Sequence, residues 1–377
     1  MKISFLDKQS KEVLIFNSNN HFYLSRIIPA YASKIYINER KSFHVIFSSR
    51  FILGFIKYLF LIGLKKNLLR AILIYSINPK IVLSNIDNSS LSKLKFFFPD
   101  KKFLLIQNGT RFSTKTLCQN YHQMEPDIYY TFGYFEKFFF KKIGLKSSIV
   151  KPICSMKLGF FLEDDLSNNH KSNDNVATFV SQFRILLTQS NSNLSGEILD
   201  SLGSLYKALA LWCKSSDYQL NVILFYEKGS EEMKQELIFY KTYLSDTNVK
   251  FIPNSRKNMS SYKLAWASSL VVGLDSTLLF ELLALNKRVI IGLSAFPKLY
   301  KERGFDNYSE FLPDFMKITN IQLKKFNESV DNLMKIPENE YVDKIMPVRK
   351  NFMNIGENFP QSLIKEDLIK ILSENEG

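Results

Sequence analysis

The sequence predicts an α/β protein of two domains, each built on a doubly wound parallel sheet. Three observations carry that prediction. Short apolar runs, among them residues 81–83, 103–106 and 270–272, fit strands covered on both faces and are too brief for buried helices. Strand-like and helix-like segments alternate about every 25 to 30 residues, the spacing of strand–helix units. A polar stretch without periodicity, residues 163–175 (EDDLSNNHKSNDN), separates two such series and reads as a linker.

In chain order, residues 12–16 (EVLIF) form a first strand, 17–20 a polar loop, 21–31 a helix and 34–37 a second strand. Residues 50–76 are strongly apolar but are interrupted by Lys57 and closed by Lys65, Lys66 and Arg70. The uncharged runs fall short of the roughly 20 residues that span a bilayer. Two readings fit: a buried helix pair covering the sheet, or a cationic helix lying on an anionic membrane face. Three strands follow with polar tips. Residues 80–86 end in Asp87-Asn88, 102–106 in Gln107-Asn108-Gly109-Thr110-Arg111, and 128–131 in Phe132-Gly133. Ligands of parallel sheets gather outside the carboxyl ends of strands, so Asp87, Gln107, Asn108 and Arg111 are expected to share a crevice. Asn108-Gly109 also fits a plain turn. Residues 135–143 form a helix with an aromatic core face, and strand 149–153 closes the first domain.

The pattern restarts with strand 176–180, ending in Ser181-Gln182-Phe183-Arg184. Helix 195–213, strand 220–225, helix 231–243, strand 249–252 and helix 260–267 follow. Residues 268–292 (SSLVVGLDSTLLFELLALNKRVIIG) then read as strand, tight polar turn, helix and strand. Ser276 or Thr277 caps the helix, so backbone N–H groups and a positive dipole end face whatever lies beyond the strand tip. Glu281 sits one turn in. The arrangement suits a phosphate approached by amides and a ribose held by a carboxylate, although plain helix capping uses the same residues. Residues 296–311 are expected to form a loop over the cleft. Helices 322–334 and 362–373 finish the chain, with Pro337, Pro347 and Pro360 breaking the intervals. The expected domains are 1–162, a 163–175 linker, 176–345, and a 346–377 helical crossover.

The formal charge of +14 calls for an acidic partner: nucleic acid, anionic lipid or a phosphorylated substrate. Three scattered cysteines and four histidines without an HxxxH pair argue against a disulfide framework, a zinc ribbon or a histidine metal site. The N-terminus lacks the apolar core of a signal peptide, so a cytoplasmic protein is expected. GxxxxGK[ST], GxSxG and a GxGxxG after the first strand are missing, and so is any nucleic-acid-binding signature. Neither a bound cofactor nor a nucleic-acid partner is expected.

Two α/β halves, a linker and a terminal helix able to cross back resemble the GT-B glycosyltransferases, two Rossmann-like domains facing a cleft. The stretch GLDSTLLFELLALNKRVI resembles their nucleotide-sugar half, with Asn286 where a glycine is common. SNIDN, LLIQNGTR, the strand ending in TFG, and SIVKPICSMK resemble the surface carbohydrate biosynthesis proteins of bacterial O-antigen and capsule clusters, most clearly over residues 80–295. SQFR and the Asp275-Ser276-Thr277 turn fit the same group; Cys154-Ser155 stands where a Gly-Ser pair is usual. The resemblance implies metal-independent transfer of a sugar from a nucleotide donor to a surface polysaccharide or lipid-linked glycan. The donor would lie on the second domain, at Ser181, Gln182, Arg184, Asp275, Ser276, Thr277 and Glu281. The acceptor would lie on the first, at Gln107, Asn108, Gly109 and His122. Asp87 would serve as general base, with His122 and Asp127 in reserve, and Arg111 would reach across the cleft. The alternatives are a polyol-phosphate transferase of teichoic-acid type and a non-catalytic subunit of a glycan-assembly complex. An anionic membrane surface is an expected partner, with the protein peripheral on its inner face.

Overall fold

A computed structural model of the chain describes residues 2–5, 11–16, 21–37, 42–45, 48–63, 67–85, 90–110, 125–142, 144–147, 149–165, 173–190, 192–244, 248–255 and 259–374. Its contacts separate into two compact units: Met1–Glu163 with Asn354–Gly377, and Asp164–Met353. Each unit holds a parallel sheet, as the alternation predicts.

In the first unit, β1 (Lys2–Phe5) and β4 (Ser42–Val45) make a parallel pair of their own. The main sheet comprises β2 (Val13–Phe16), β3 (Lys34–Ile37), β5 (Ile81–Ser84), β6 (Lys102–Ile106), β7 (Ile128–Thr131) and β8 (Ile149–Pro152), in the order β3-β2-β5-β6-β7-β8. All its pairings are parallel. Leu14, Ile15, Val82 and Leu83 are buried, as strands covered on both faces require. Strand order reverses between β2 and β5, where Ser84 Oγ donates to the Phe16 carbonyl at 2.8 Å and Asn85 is buried beside it in sequence.

The terminal helix Pro360–Ser373 belongs to this first unit, so the chain does cross back. Ile364, Leu368 and Leu372 on it are buried. Asp367 accepts from the Tyr130 hydroxyl at 2.8 Å and pairs with Lys151 Nζ at 2.6 Å. Burial and that carboxylate push the Tyr130 phenol far above its usual range, so it remains a donor. Gly159 admits the segment, because a Cβ there would stand 2.8 Å from Pro360 Cδ.

In the second unit, β9 (Asn173–Val180), β10 (Gln219–Ile223), β11 (Val249–Ile252), β12 (Ser268–Gly273) and β13 (Arg288–Ile291) pair in the order β11-β10-β9-β12-β13, again all parallel. The chain runs outward from β9 to one edge and then returns to β12 on its other side. The topological switch therefore lies between β9 and β12.

Several expectations change. The helix Met156–Asp165 and β9 encroach on the expected linker from both ends, and residues 166–172 lie outside the described residues. Residues 296–311 are not simply a loop: helices Pro297–Glu302 and Asp306–Ser309 lie within them. Pro347 does not break the chain but sits inside helix Glu338–Phe352, which burial of Ile345, Val348 and Phe352 holds together. That helix stays with the second unit, and the return begins at Asn354. Arg70 is buried and bonded to Asn67 Oδ1 at 3.1 Å, so it does not face a headgroup layer; Lys65 and Lys66 lie outside the described residues.

Asn286 has φ 61 and ends helix Thr277–Ala284 in a left-handed turn, where the resemblance has glycine. Its N–H bonds to the Leu283 carbonyl at 3.0 Å and that of Lys287 to Leu282 at 3.1 Å, a Schellman cap. Asparagine tolerates this conformation best after glycine, and its Oδ1 accepts from Arg349 Nη1 at 2.6 Å. Cys154, the other departure from glycine, is buried with φ 74, so the backbone keeps the shape a glycine would take. Cys154→Gly is expected to change stability by less than about 1 kcal/mol. Cys154→Val, β-branched at positive φ, should lose about 2 kcal/mol or more in urea unfolding.

Candidate functional site

The second unit gathers its polar groups at the switch between β9 and β12. Both strands end in turns there, and Gln182 after β9 meets Asp275 after β12. Gln182 Nε2 donates to Asp275 Oδ1 at 2.8 Å, and the Asp275 N–H donates to Gln182 Oε1 at 2.9 Å. One amide side chain thus fixes both the carboxylate and the backbone of the turn. The other carboxylate oxygen, Oδ2, is 2.6 Å from Arg303 Nε. The Asp275 side chain is 0% exposed and that of Arg303 34%, so the anion is sealed while the cation still reaches solvent. Ser276 follows at the N-cap in extended conformation, its hydroxyl not turned back onto the helix. Helix Thr277–Ala284 opens two residues after Asp275, the residue that holds the Arg303 guanidinium, and its first-turn amides favour an anion. Glu281 is buried within the same helix.

The remaining residues of the β9 turn divide. Arg184 is exposed, its guanidinium carbon 5.3 Å from the Phe225 ring centroid past the end of β10. Ser181 turns inward instead. Its hydroxyl donates to Glu236 Oε1 and accepts from the Tyr240 hydroxyl at 2.7 Å. Glu236 also accepts from the Phe225 and Tyr226 N–H groups at 2.9 and 3.2 Å. Burial pushes the Glu236 carboxyl up to about 7 against the pull of these donors. Its ordinary value is 4.5, so the folded state holds this proton more tightly than the unfolded chain does. The stability this contributes is complete below the ordinary value and is lost as pH rises through about 7. Relative to Glu236→Gln, the wild-type folding free energy is expected to fall by on the order of 2 kcal/mol between pH 5 and 8. Equal pH slopes for the two proteins would refute this.

In the first unit, Gln107 follows β6 and is buried. Its Nε2 donates to Glu136 Oε1 and to the Gly109 carbonyl, the latter at 3.0 Å, while its Oε1 accepts from the Phe132 N–H at 3.1 Å. Glu136 Oε2 accepts the N–H groups of Phe132 and Gly133 at 3.0 and 3.3 Å, capping helix Tyr134–Lys142. Gln107 thus braces the turn of which Asn108 and Gly109 form the outer part. Asp127 accepts from the Phe103 N–H at 2.7 Å and pairs with Lys95 at 3.1 Å, at the opposite, N-terminal end of β7. It is structural, and the reserve role as base does not fit it. Asp87, Arg111 and His122 lie outside the described residues. Among the described residues, no three His, Cys, Asp or Glu side chains converge as a metal site.

Of the expected donor residues, the structure brings Gln182, Asp275 and Ser276 together, with Thr277 opening the helix. It adds Arg303, which carries no periodic or spacing signal of its own.

Two parallel-sheet units, with the chain returning to the first after completing the second, define the GT-B class. The chain belongs to an O-antigen biosynthesis protein family, whose model matches residues 104–309. Among solved structures, the wall teichoic acid polymerase TagF is similar over 97% of this chain and 90% of its own, at 15% identity and a TM-score of 0.57. UDP-GlcNAc 2-epimerase from Neisseria meningitidis, bound to UDP-GlcNAc, is similar over 98% of this chain and 100% of its own, at 14% identity and a TM-score of 0.56. The S. aureus MnaA–UDP co-structure matches 97% of each chain at 12% identity and a TM-score of 0.57. At these identities the likeness is one of fold. No curated protein sequence matches the chain.

Proposed function

We propose that the protein is a glycosyltransferase that moves a sugar from a nucleotide-activated donor to a surface polysaccharide or lipid-linked glycan, at the inner face of the cytoplasmic membrane. The observation that carries this reading is the Gln182–Asp275–Arg303 constellation at the β9/β12 switch, next to the amides that open helix Thr277–Ala284. In such a transfer the anomeric carbon–oxygen bond to the nucleotide breaks and the leaving phosphate gathers negative charge. Arg303, Arg184 and the helix amides would offset that charge. The acceptor hydroxyl attacks the anomeric carbon and yields its proton to a base, the role assigned to Asp87.

A second reading draws on TagF, one structure of which was solved after a soak with CDPG. A polyol-phosphate transferase of the same fold would leave a phosphodiester in the product rather than a glycosidic bond.

The test is a thermal-shift screen against UDP, GDP, CDP, CMP and dTDP. One nucleotide, at about 100 times its dissociation constant, should stabilise the protein by roughly 2.7 kcal/mol. Arg184→Ala, which removes an exposed side chain, should keep the fold and lose most of that shift. A preference for CDP or CMP would favour the polyol-phosphate reading. A flat screen on well-folded protein would point to the non-catalytic subunit.

A further inference from the structure

The helix Ser49–Ile62 has its apolar residues on the wrong side for a soluble protein. Gly54 and Tyr58 are buried, and they mark the face that packs on helix Asn67–Ile77: a Cβ on Gly54 would touch Tyr75 at 3.0 Å and Ile72 at 3.6 Å. At 100° per residue, Ile52, Leu53, Ile56 and Phe60 fall together on the opposite face, and all four are exposed, Phe60 by 84%. Phe96, 80% exposed, is a further apolar side chain on a second element, the 3-10 helix Ser90–Phe97, whose Phe97 ring lies 6.1 Å from that of Tyr58. A contiguous apolar ridge of this kind marks an interaction surface.

Charge identifies the partner. Arg50 and Lys57, both exposed, lie along one flank of the ridge. Between Glu39 and Asp87 the chain carries eight lysines and arginines, of which Arg70 is buried, and no acidic residue. A protein partner would commonly offer both signs, whereas an anionic bilayer offers an apolar interior beneath a uniformly negative headgroup layer. Fourteen residues of helix are too short to cross a bilayer, and no helix among the described residues is long and apolar enough to do so. On a bilayer, an amphipathic helix of this length lies in the interface plane.

We infer that the outer face of helix Ser49–Ile62 inserts into the headgroup–acyl boundary of an anionic membrane, with Arg50 and Lys57 at the phosphate level. This deepens the peripheral placement proposed above, naming the surface that makes it, but it does not depend on the sugar-transfer chemistry. Vesicle binding is therefore measured without any donor.

The full chain is sedimented with vesicles of phosphatidylglycerol and phosphatidylethanolamine, and with vesicles of phosphatidylcholine alone. Binding is expected to the first, weakened by salt, with little to the second. The Ile56→Ser/Phe60→Ser double variant should bind about tenfold less or worse, and Arg50→Gln/Lys57→Gln should lose the preference for phosphatidylglycerol. Phe60→Trp supplies a positive signal: its indole emission should shift to the blue on vesicle addition, above the constant emission of Trp212 and Trp266. Wild type left in the supernatant, a serine variant that binds as well as wild type, or an unshifted Phe60→Trp would each overturn the inference. So would a dimer in size-exclusion chromatography that the serine variant abolishes while vesicles fail to bind. Vesicle binding with no nucleotide effect in the thermal screen would refute the transferase and leave this surface standing.

Discussion

Removal of residues 354–377 is expected to abolish the cooperative unfolding of the first unit while leaving that of the second. The segment buries Ile364, Leu368 and Leu372 almost completely. At about 2 kcal/mol for each fully buried aliphatic side chain, the loss is roughly 6 kcal/mol before any polar contribution. That is comparable to the whole stability of a typical domain. Deletion also strips Tyr130 and Lys151 of Asp367. Urea unfolding should then show the transition of Asp164–Met353 alone. Leu368→Ala is the gentler version, expected to cost about 3 kcal/mol in the first unit only. An unchanged first transition in the deletion would show that the helix merely rests on the sheet.

Arg303→Ala should cost about 3 kcal/mol in the second unit, because it removes one partner of an ion pair whose carboxylate is sealed from water. Gln182 holds the other oxygen but carries no charge to offset. The same variant should abolish the nucleotide shift, whereas Arg184→Ala should lose most of the shift without the stability loss. Arg303→Lys separates the two roles: an ammonium can neutralise Asp275, but it lacks the planar fork that meets carboxylate and phosphate together. Partial recovery of stability without recovery of nucleotide binding is the expected outcome. If Arg303→Ala unfolds at the wild-type midpoint, the ion pair contributes nothing and the site is not preorganised by it.

Much of the architecture was legible because fully buried parallel strands leave a plain trace. Runs such as Ile81–Ser84 and Arg288–Ile291 are short, apolar and β-branched, and the polar residues that follow them mark their tips. Asp275 and Gln182 were readable as strand-tip residues for that reason. Their direct bonding was not, since it depends on β9 and β12 being neighbours across 93 residues of chain. Arg303 was harder still. It follows helix Pro297–Glu302, six residues without a clear periodicity, and only the fold carries it back to Asp275. Glu136 and Glu236 escaped notice because a glutamate in an amphipathic helix usually meets solvent; here each reaches the bare N–H groups at a strand end. The same bias sent Ser181 and Gln107 the other way. Both stand at strand tips, where ligand contacts are expected, and both hydrogen-bond those buried glutamates. Residues 50–76 allowed two readings, and the structure divides them: helix Asn67–Ile77 is the buried one, and helix Ser49–Ile62 turns its apolar side outward.

The second unit interrupts the first in the sequence, and that order governs how the protein is made. During synthesis, residues 1–163 leave the ribosome well before the helix that completes their fold. The contiguous second unit, by contrast, emerges whole and can settle as a unit while its neighbour waits. Until residues 354–377 arrive, the groove that receives Ile364 and Leu368 stands open, an apolar surface on a nascent chain. Chaperone demand and premature proteolysis should therefore concentrate on the first unit, and slowing translation just before residue 354 should lengthen its exposure.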